Sequence, residues 1–274
     1  MSQAAIETLL AQLGFHGMAA ALARELTRAQ HEASGAEALL QRLLEAETQH
    51  RRERRLAYRL REARLPWRWT LESFPFERQP GLNKAHILSL AGLDFIRRAE
   101  NLVLVGPPGT GKSGIAIALL REACLNGFRG RFYNAQELLD ELYASLADRS
   151  SARLLKQLAR YDFLVIDELG YLTLKSEQTN AFFKLMEQRY NRVSTILTTN
   201  LDFPDWYPLF QNKSLVDALL DRLQHRCITI RINGPSLRTP EASPPPSPQP
   251  AATSPPAATP PQKPAPSRRS RAAS

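Results

Sequence analysis

The run NLVLVGPPGTGKSGIAIALL at 101–120 constrains this chain more than any other stretch. Leu102 to Val105 is an apolar run of strand length, and the spacing G-x-x-x-x-G-K-S follows at once. Gly106 opens a turn that Pro107 and Pro108 stiffen. Gly109 and Gly111, on either side of Thr110, reach backbone conformations closed to other residues, so successive N–H groups can converge on a phosphate. Lys112 would then reach the β- and γ-phosphates, and Ser113 would offer a hydroxyl to Mg²⁺. The helix that opens here aims its positive end at the same anion. A Gly/Pro turn that binds nothing is the plainer alternative, and the strand before it and the helical pattern after it argue against that.

A bound nucleotide does not by itself imply hydrolysis, which needs a second element. YDFLVIDELGYL at 161–172 reads as a buried strand ending in two carboxylates. The strand end places Asp167 beside the Mg²⁺ shell, and Glu168 can polarise a water toward the γ-phosphate as general base. Asp-Glu after a strand also caps loops, a reading that the phosphate loop upstream makes the weaker one. STILTTN at 194–200 ends in Asn200, at the carboxyl end of a further strand, where ligands sit in such sheets. Asn200 is a candidate to orient the attacking water or sense the γ-phosphate; an Asn capping a turn accounts for it equally well.

Strand patterns at about 102–105, 131–133, 163–167, 195–199 and 228–232 alternate with helical ones at 112–125, 135–147, 176–190 and 214–224. The alternation predicts an α/β core with a five-stranded parallel sheet covered on both faces. No N-K-x-D purine reader for GTP is present, since NKAH and NKSL lack the Asp.

The chain has 274 residues, ample for such a core plus a smaller module. It holds no apolar run of the roughly 20 residues that span a bilayer, and MSQAAIETLLAQLGFHG lacks the pattern of a signal peptide, so a cytoplasmic protein is expected. Cys124 and Cys227 belong to no C-x-x-C pair, and neither a disulfide nor a zinc site is expected. The net charge of +9 is local. Residues 1–50 hold three Arg against six Glu, whereas RRERRLAYRLREAR at 51–64 holds seven Arg and two Glu. This run lies late in a helix expected to begin at Ser34, where Ser34 and Glu37 have capping-box spacing, and to stop before Pro66. Arg51, Arg52, Arg54, Arg55 and Arg59 are candidates to contact DNA phosphates; a solvated, ion-paired face is the alternative. Residues 1–65 thus read as a helical module, 66–83 as a connector anchored by Trp67, Trp69, Phe74 and Phe76, for which stacking on bases is the alternative, and 84–238 as the nucleotide core. Residues 239–274, rich in Pro, Ala and Ser, read as a disordered tail.

AENLVLVGPPGTGKS, YDFLVIDELGYL, STILTTNLDF and ALLDRLQHR, in this order and spacing, resemble the IstB-like AAA+ ATPases. These are transposition helper proteins encoded beside a transposase in insertion sequences, and they are similar to the DnaC and DnaI helicase loaders. The resemblance covers about residues 5–238, including LLAQLGFHGMAAAL and TLESFPFERQPGLN, which the loaders do not share in this form. It implies a P-loop AAA+ core with a reduced lid, behind a helical domain for DNA contact and assembly. Gly106 to Ser113 become the Walker A loop, Asp167 and Glu168 the Walker B pair, and Asn200 sensor 1. Arg222, for which pairing with Asp217 or Asp221 on its own helix is the plainer alternative, falls at the arginine finger, and Arg238 falls at sensor 2. Gly114 stands where a bulkier residue is usual, Thr173 replaces a Pro, and Leu237 replaces an aromatic. The implied function uses ATP and Mg²⁺: subunits assemble on duplex DNA, mark a target and recruit a DDE-type transposase. The alternatives are a replicative helicase loader and a DNA-binding scaffold that binds ATP without useful hydrolysis.

Overall fold

The computed structural model describes residues 2–210 and 212–238. The expected tail at 239–274 lies outside the described residues. Three helices open the chain: α1 (Gln3–Gln12), α2 (His16–His31) and α3 (Ala36–Glu62). Their shared core is small, built on Met18, Ala21, Leu22 and Leu43. It closes tightly because residue 17 has no side chain. A Cβ at Gly17 would lie 2.7 Å from the Ala46 carbonyl oxygen and 2.7 Å from the His50 Cβ.

The start of α2 needs help, since Phe15 at its N-cap offers no side-chain acceptor and helix-opening N–H groups lack partners within the helix. Glu47 of α3 supplies it. One carboxylate oxygen accepts from the N–H groups of Gly17 (2.7 Å) and Met18 (3.2 Å), and the other accepts from Arg51 Nε at 2.6 Å. A buried negative charge thus faces the positive end of a helix dipole. Burial alone would push this carboxyl up, but Arg51 and the two N–H groups outweigh it and hold the pKa below the ordinary range.

The start of α3 departs from the expected capping box. Ser34 is not the cap; Gly35 is, with no side-chain hydrogen bond. The reason lies in the end of α2, where Ala33 is left-handed (φ 48°) and the Ser34 N–H bonds back to the Ala29 carbonyl. That closing motif commits the Ser34 backbone to terminating α2, and the next helix starts later. The far end of α3 docks on the core: Arg59 Nε donates to the Cys124 carbonyl at 2.9 Å, and the Phe132 N–H donates to the Ala63 carbonyl at 2.8 Å.

In the connector, Phe74 and Phe76 are buried with ring centroids 4.8 Å apart, and Trp69 leans on Phe74 at 6.2 Å. Trp67 departs from the expected role of anchor, being 57% exposed. Helices α4 (Lys84–Leu90) and α5 (Asp94–Arg97) lead into the sheet. The core then runs β1 (Asn101–Val105), α6 (Lys112–Leu125), β2 (Gly130–Asn134), α7 (Ala135–Ala147), α8 (Ser151–Leu158) and β3 (Phe163–Asp167). It ends with α9 (Ser176–Arg189), β4 (Ser194–Thr199), α10 (Tyr207–Phe210), α11 (Lys213–His225) and β5 (Cys227–Arg231). All pairings are parallel, in the order β2-β3-β4-β1-β5.

Strands β1, β3 and β4 are buried at every residue, as expected of central strands covered on both faces. Alternate side chains enter different cores. Leu102, Leu104, Val165 and Ile196 share one cluster with α6 and the connector, whereas Val103, Val105, Ile166 and Leu197 share another with α7, α9 and α11. Helix α8, absent from the sequence reading, packs through Leu154, Leu155 and Leu158. Its end is fixed by the fully buried Arg189, which donates to the carbonyls of Leu158, Tyr161 and Ser194 and to Thr195 Oγ1. Among the described residues no helix is long and apolar enough to cross a membrane.

Glu47→Ala removes the borrowed cap of α2 and is expected to lower stability by about 2 kcal/mol in urea unfolding at neutral pH. Because the folded pKa of Glu47 is depressed, its contribution is complete above the unfolded carboxyl value of about 4.3 and disappears as pH falls through the lower folded value. The gap between wild type and variant should therefore close in acid. A gap that is constant from pH 7 to pH 3 would refute the assignment.

Candidate nucleotide-binding site

The strand order sets β4 between β1 and β3. The carboxyl end of β1 releases the glycine-rich loop, that of β3 ends in Asp167, and Thr198 of β4 stands between them. A cavity of about 710 Å³ opens here, lined by Pro108, Gly109 and Gly111 to Gly114 of the loop, by Glu168 and Thr198, and by Trp67 and Trp69.

Gly109 and Gly111 are left-handed (φ +80° and +94°). Neither could hold a side chain, since a Cβ at 109 would lie 2.2 Å from Ser236 Oγ and one at 111 would lie 2.6 Å from the Phe74 ring. Thr110 Oγ1 pins the turn by donating to the Pro107 carbonyl at 2.9 Å. Lys112, in the first turn of α6, is buried and donates to the carbonyls of Gly106 (2.7 Å) and Pro107 (2.8 Å). Burial pulls its pKa down, while Asp167 and Glu168 pull it up. A buried ammonium with only neutral acceptors in contact is matched to an incoming anion.

The two carboxylates are held differently. Asp167, 4% exposed, accepts from Ser113 Oγ at 2.8 Å and from Thr198 Oγ1 at 2.5 Å. Its pKa is raised because burial outweighs those two hydroxyls. A hydroxyl oxygen and an under-compensated carboxylate side by side form a hard-oxygen pair suited to Mg²⁺. Glu168 is left-handed (φ 64°). Its N–H donates to Thr198 Oγ1 at 2.9 Å, and its Oε2 accepts from Asn134 Nδ2 at 3.1 Å. Thr198 and Asn134 therefore position both carboxylates, and the sequence reading missed them. The available signal was a polar residue at the carboxyl end of each of β2 and β4.

The remaining candidates lie further out. Asn200 follows β4, and its Oδ1 is buried without a hydrogen-bond partner, above Gly170. Thr198 and Thr199, rather than Asn200, line the cavity. Arg238 does line it, positioned by the neighbouring Leu237 N–H, which donates to the Gly109 carbonyl at 2.8 Å. Arg222 on α11 does not line it. Arg222 ion-pairs with Glu187 of α9 at 3.3 Å and lies over the Phe183 ring at 4.9 Å, so neither Asp217 nor Asp221 is its partner.

The arginine run divides. Arg51 is committed to Glu47 and lies over the Phe15 ring, and Arg59 is committed to Cys124. Arg54 and Arg55 are exposed and make no ion pair among the described residues. With Arg51, Tyr58, Arg59 and Arg129 they line one groove of about 550 Å³, whereas Arg52 faces a different depression beside Leu44.

The family model described as IstB-like ATP binding protein matches residues 8–244. An ATP-binding protein of insertion sequence IS21 from Pseudomonas aeruginosa is 41% identical over 198 residues, covering 72% of this chain and 75% of the relative. An insertion-sequence ATP-binding protein of Mycobacterium tuberculosis is 30% identical over 235 residues, covering 85% and 94%. Among solved structures, DnaI covers 62% of this chain and 91% of its own at a TM-score of 0.52 and 19% identity. A replication initiator DnaA bound to AMPPCP and single-stranded DNA covers 62% and 51% at 0.53 and 19%. These structures share the fold. With its phosphate loop, its parallel five-stranded sheet and this extent of matching sequence, the chain belongs to the IstB-like ATP-binding family.

Proposed function

We propose that the chain is an ATP hydrolase whose turnover governs its own assembly on duplex DNA, where it marks a target site and recruits a DDE-type transposase. The observation that carries the hydrolase reading is the Ser113–Asp167 pair at 2.8 Å beside a buried, anion-seeking Lys112, with Glu168 held separately by Asn134 and Thr198. In this reading the loop from Gly106 to Ser113 cradles the phosphates, and Lys112 binds the β- and γ-oxygens. Ser113 and Asp167 would hold Mg²⁺, which would supply neutralisation of the phosphate charge. Glu168 takes a proton from the attacking water, and Thr198 and Asn134 position it. Arg238 contacts the nucleotide from the segment after β5 and Arg222 serves a neighbouring subunit, while Asn200, outside the cavity lining, would sense the γ-phosphate only from behind Thr199.

The DNA part is supported by the groove containing Arg54 and Arg55, and by relatives described as insertion-sequence proteins. Residues 1–65 would carry DNA contact and assembly, 66–83 the connection, and 84–238 the ATPase, acting in the cytoplasm. The fold shared with DnaI favours a helicase loader as second reading. A transposase gene beside this one would favour the first, and a replicative helicase as the captured partner the second.

Lys112→Ala is expected to abolish ATP binding. Glu168→Gln should keep Mg-ATP binding and turn over at least tenfold more slowly, equivalent to about 1.4 kcal/mol in barrier. Wild-type turnover in the second variant would remove Glu168 as the base.

Replacing Arg54 and Arg55 by Gln spares the Glu47 and Cys124 contacts of Arg51 and Arg59. DNA affinity should fall on all sequences, with the log–log salt slope dropping by roughly one per lost phosphate contact. An unchanged slope would return the groove to an ordinary solvated face.

Arg222→Ala alone and Lys112→Ala alone should each be inactive, yet a mixture should recover part of the turnover, because one variant supplies an intact arginine and the other an intact loop. Normal DNA-stimulated turnover by Arg222→Ala protein alone would leave Arg222 as a partner of Glu187 and Phe183 only.

A further inference from the structure

The cavity extends well beyond what the phosphates of a nucleotide would use. One end is the loop, with Lys112 and Ser113. The other is aromatic, formed by Trp67 and Trp69 with Pro75 beside them. Trp69 is fixed. It lies over the first turn of α6, with ring atoms 3.4–3.7 Å from where a Cβ on Gly114 would stand, and it leans on Phe74. Phe74 in turn fills the space that a side chain at Gly111 would need. The ring thus packs directly on the backbone of Gly114, and Gly114 and Trp69 form a matched pair.

Trp67 is the unexplained member. Trp67 and Trp69 both line the cavity and Arg68 between them does not. A tryptophan 57% exposed and facing a nucleotide-sized cavity leaves much of its apolar face uncovered by the described residues. A ligand whose phosphates lie on the loop carries its base at the far end of the ribose, and the aromatic end is where the cavity continues.

We propose that Trp67 is the stacking surface for the base of the bound purine nucleotide, with Trp69 as the fixed wall behind it. The inference rests on the phosphate-loop reading and goes beyond it by assigning the base end of the site. Recognition here is by the π-face and not by edge hydrogen bonds, the mode in which aromatic side chains hold bases. The connector thus completes the site, with Trp69 as its anchor and Trp67 as the residue that contacts the base.

The test compares full-length wild type, Trp67→Ala and Trp67→Phe by calorimetric titration with Mg-ATP and with inorganic tripolyphosphate, which has no base. Trp67→Ala should bind ATP at least roughly tenfold more weakly and tripolyphosphate unchanged, and Trp67→Phe should recover most of the ATP affinity. Tryptophan fluorescence of the wild type should be quenched by ATP but not by tripolyphosphate, and the quench should be lost in Trp67→Ala, where Trp69 and the buried Trp206 remain. Unchanged ATP affinity in Trp67→Ala, or an equal loss for both ligands, would overturn the base site alone. Quenching by single-stranded DNA but not by ATP would also overturn it. Failure of the wild type to bind either ligand would overturn the phosphate-loop reading and the base site together.

Discussion

The Asp167 carboxylate is the contact on which the arrangement of this protein's core turns. An ionised carboxylate removed from water is costly unless donors face it, and at this position both donors come from other elements. Ser113 brings the start of α6, and Thr198 brings the end of β4. Three carboxyl-edge segments are therefore held in register by one side chain. The donors do not fully offset burial, since the carboxyl remains harder to ionise than an ordinary one. The cause is lost hydration: burial removes more stabilisation from the carboxylate than the two hydroxyls return.

The phosphate loop is enclosed from two sides by chain segments far apart in sequence. The connector contributes Phe74 against Gly111, and the segment after β5 contributes Ser236 against Gly109. These two segments are themselves joined, because Gln79 Nε2 donates to the Pro235 carbonyl at 2.6 Å. The two loop glycines are thus required twice over, by their left-handed backbone and by neighbours that leave no room for a Cβ.

How much was legible in the sequence follows from what each signal depends on. Strands β1 and β3 were readable because a strand buried on both faces is a near-continuous apolar run, and Asp167 and Glu168 were readable as charges that end one, whereas β4 is apolar only at Ile196 and Leu197. Thr198 and Asn134 were not, since Thr and Asn near strand ends are ordinary, and only the order β2-β3-β4-β1-β5 brings them to the carboxylates. Ser34 misled for a related reason. Its local pattern fits a cap, but its backbone is occupied in ending the previous helix. Arg51 and Arg59 looked equivalent to Arg54 and Arg55 along a charged run, and their tertiary partners, Glu47 and Cys124, lie outside any local window. Trp67 was grouped with buried aromatics because composition cannot tell an anchored ring from an uncovered one.

Helix α6 begins at the phosphate loop with Lys112 and ends beside the basic groove, where the Cys124 carbonyl holds Arg59. Its 14 residues make a strut of about 21 Å. The strut is almost wholly buried and its far end is bonded to α3, a second rod of 27 residues. The phosphate loop and the basic groove are therefore the two ends of one core helix, and α3 is seated on the core there by two separate bonds, Arg59 to the Cys124 carbonyl and the Ala63 carbonyl to the Phe132 N–H.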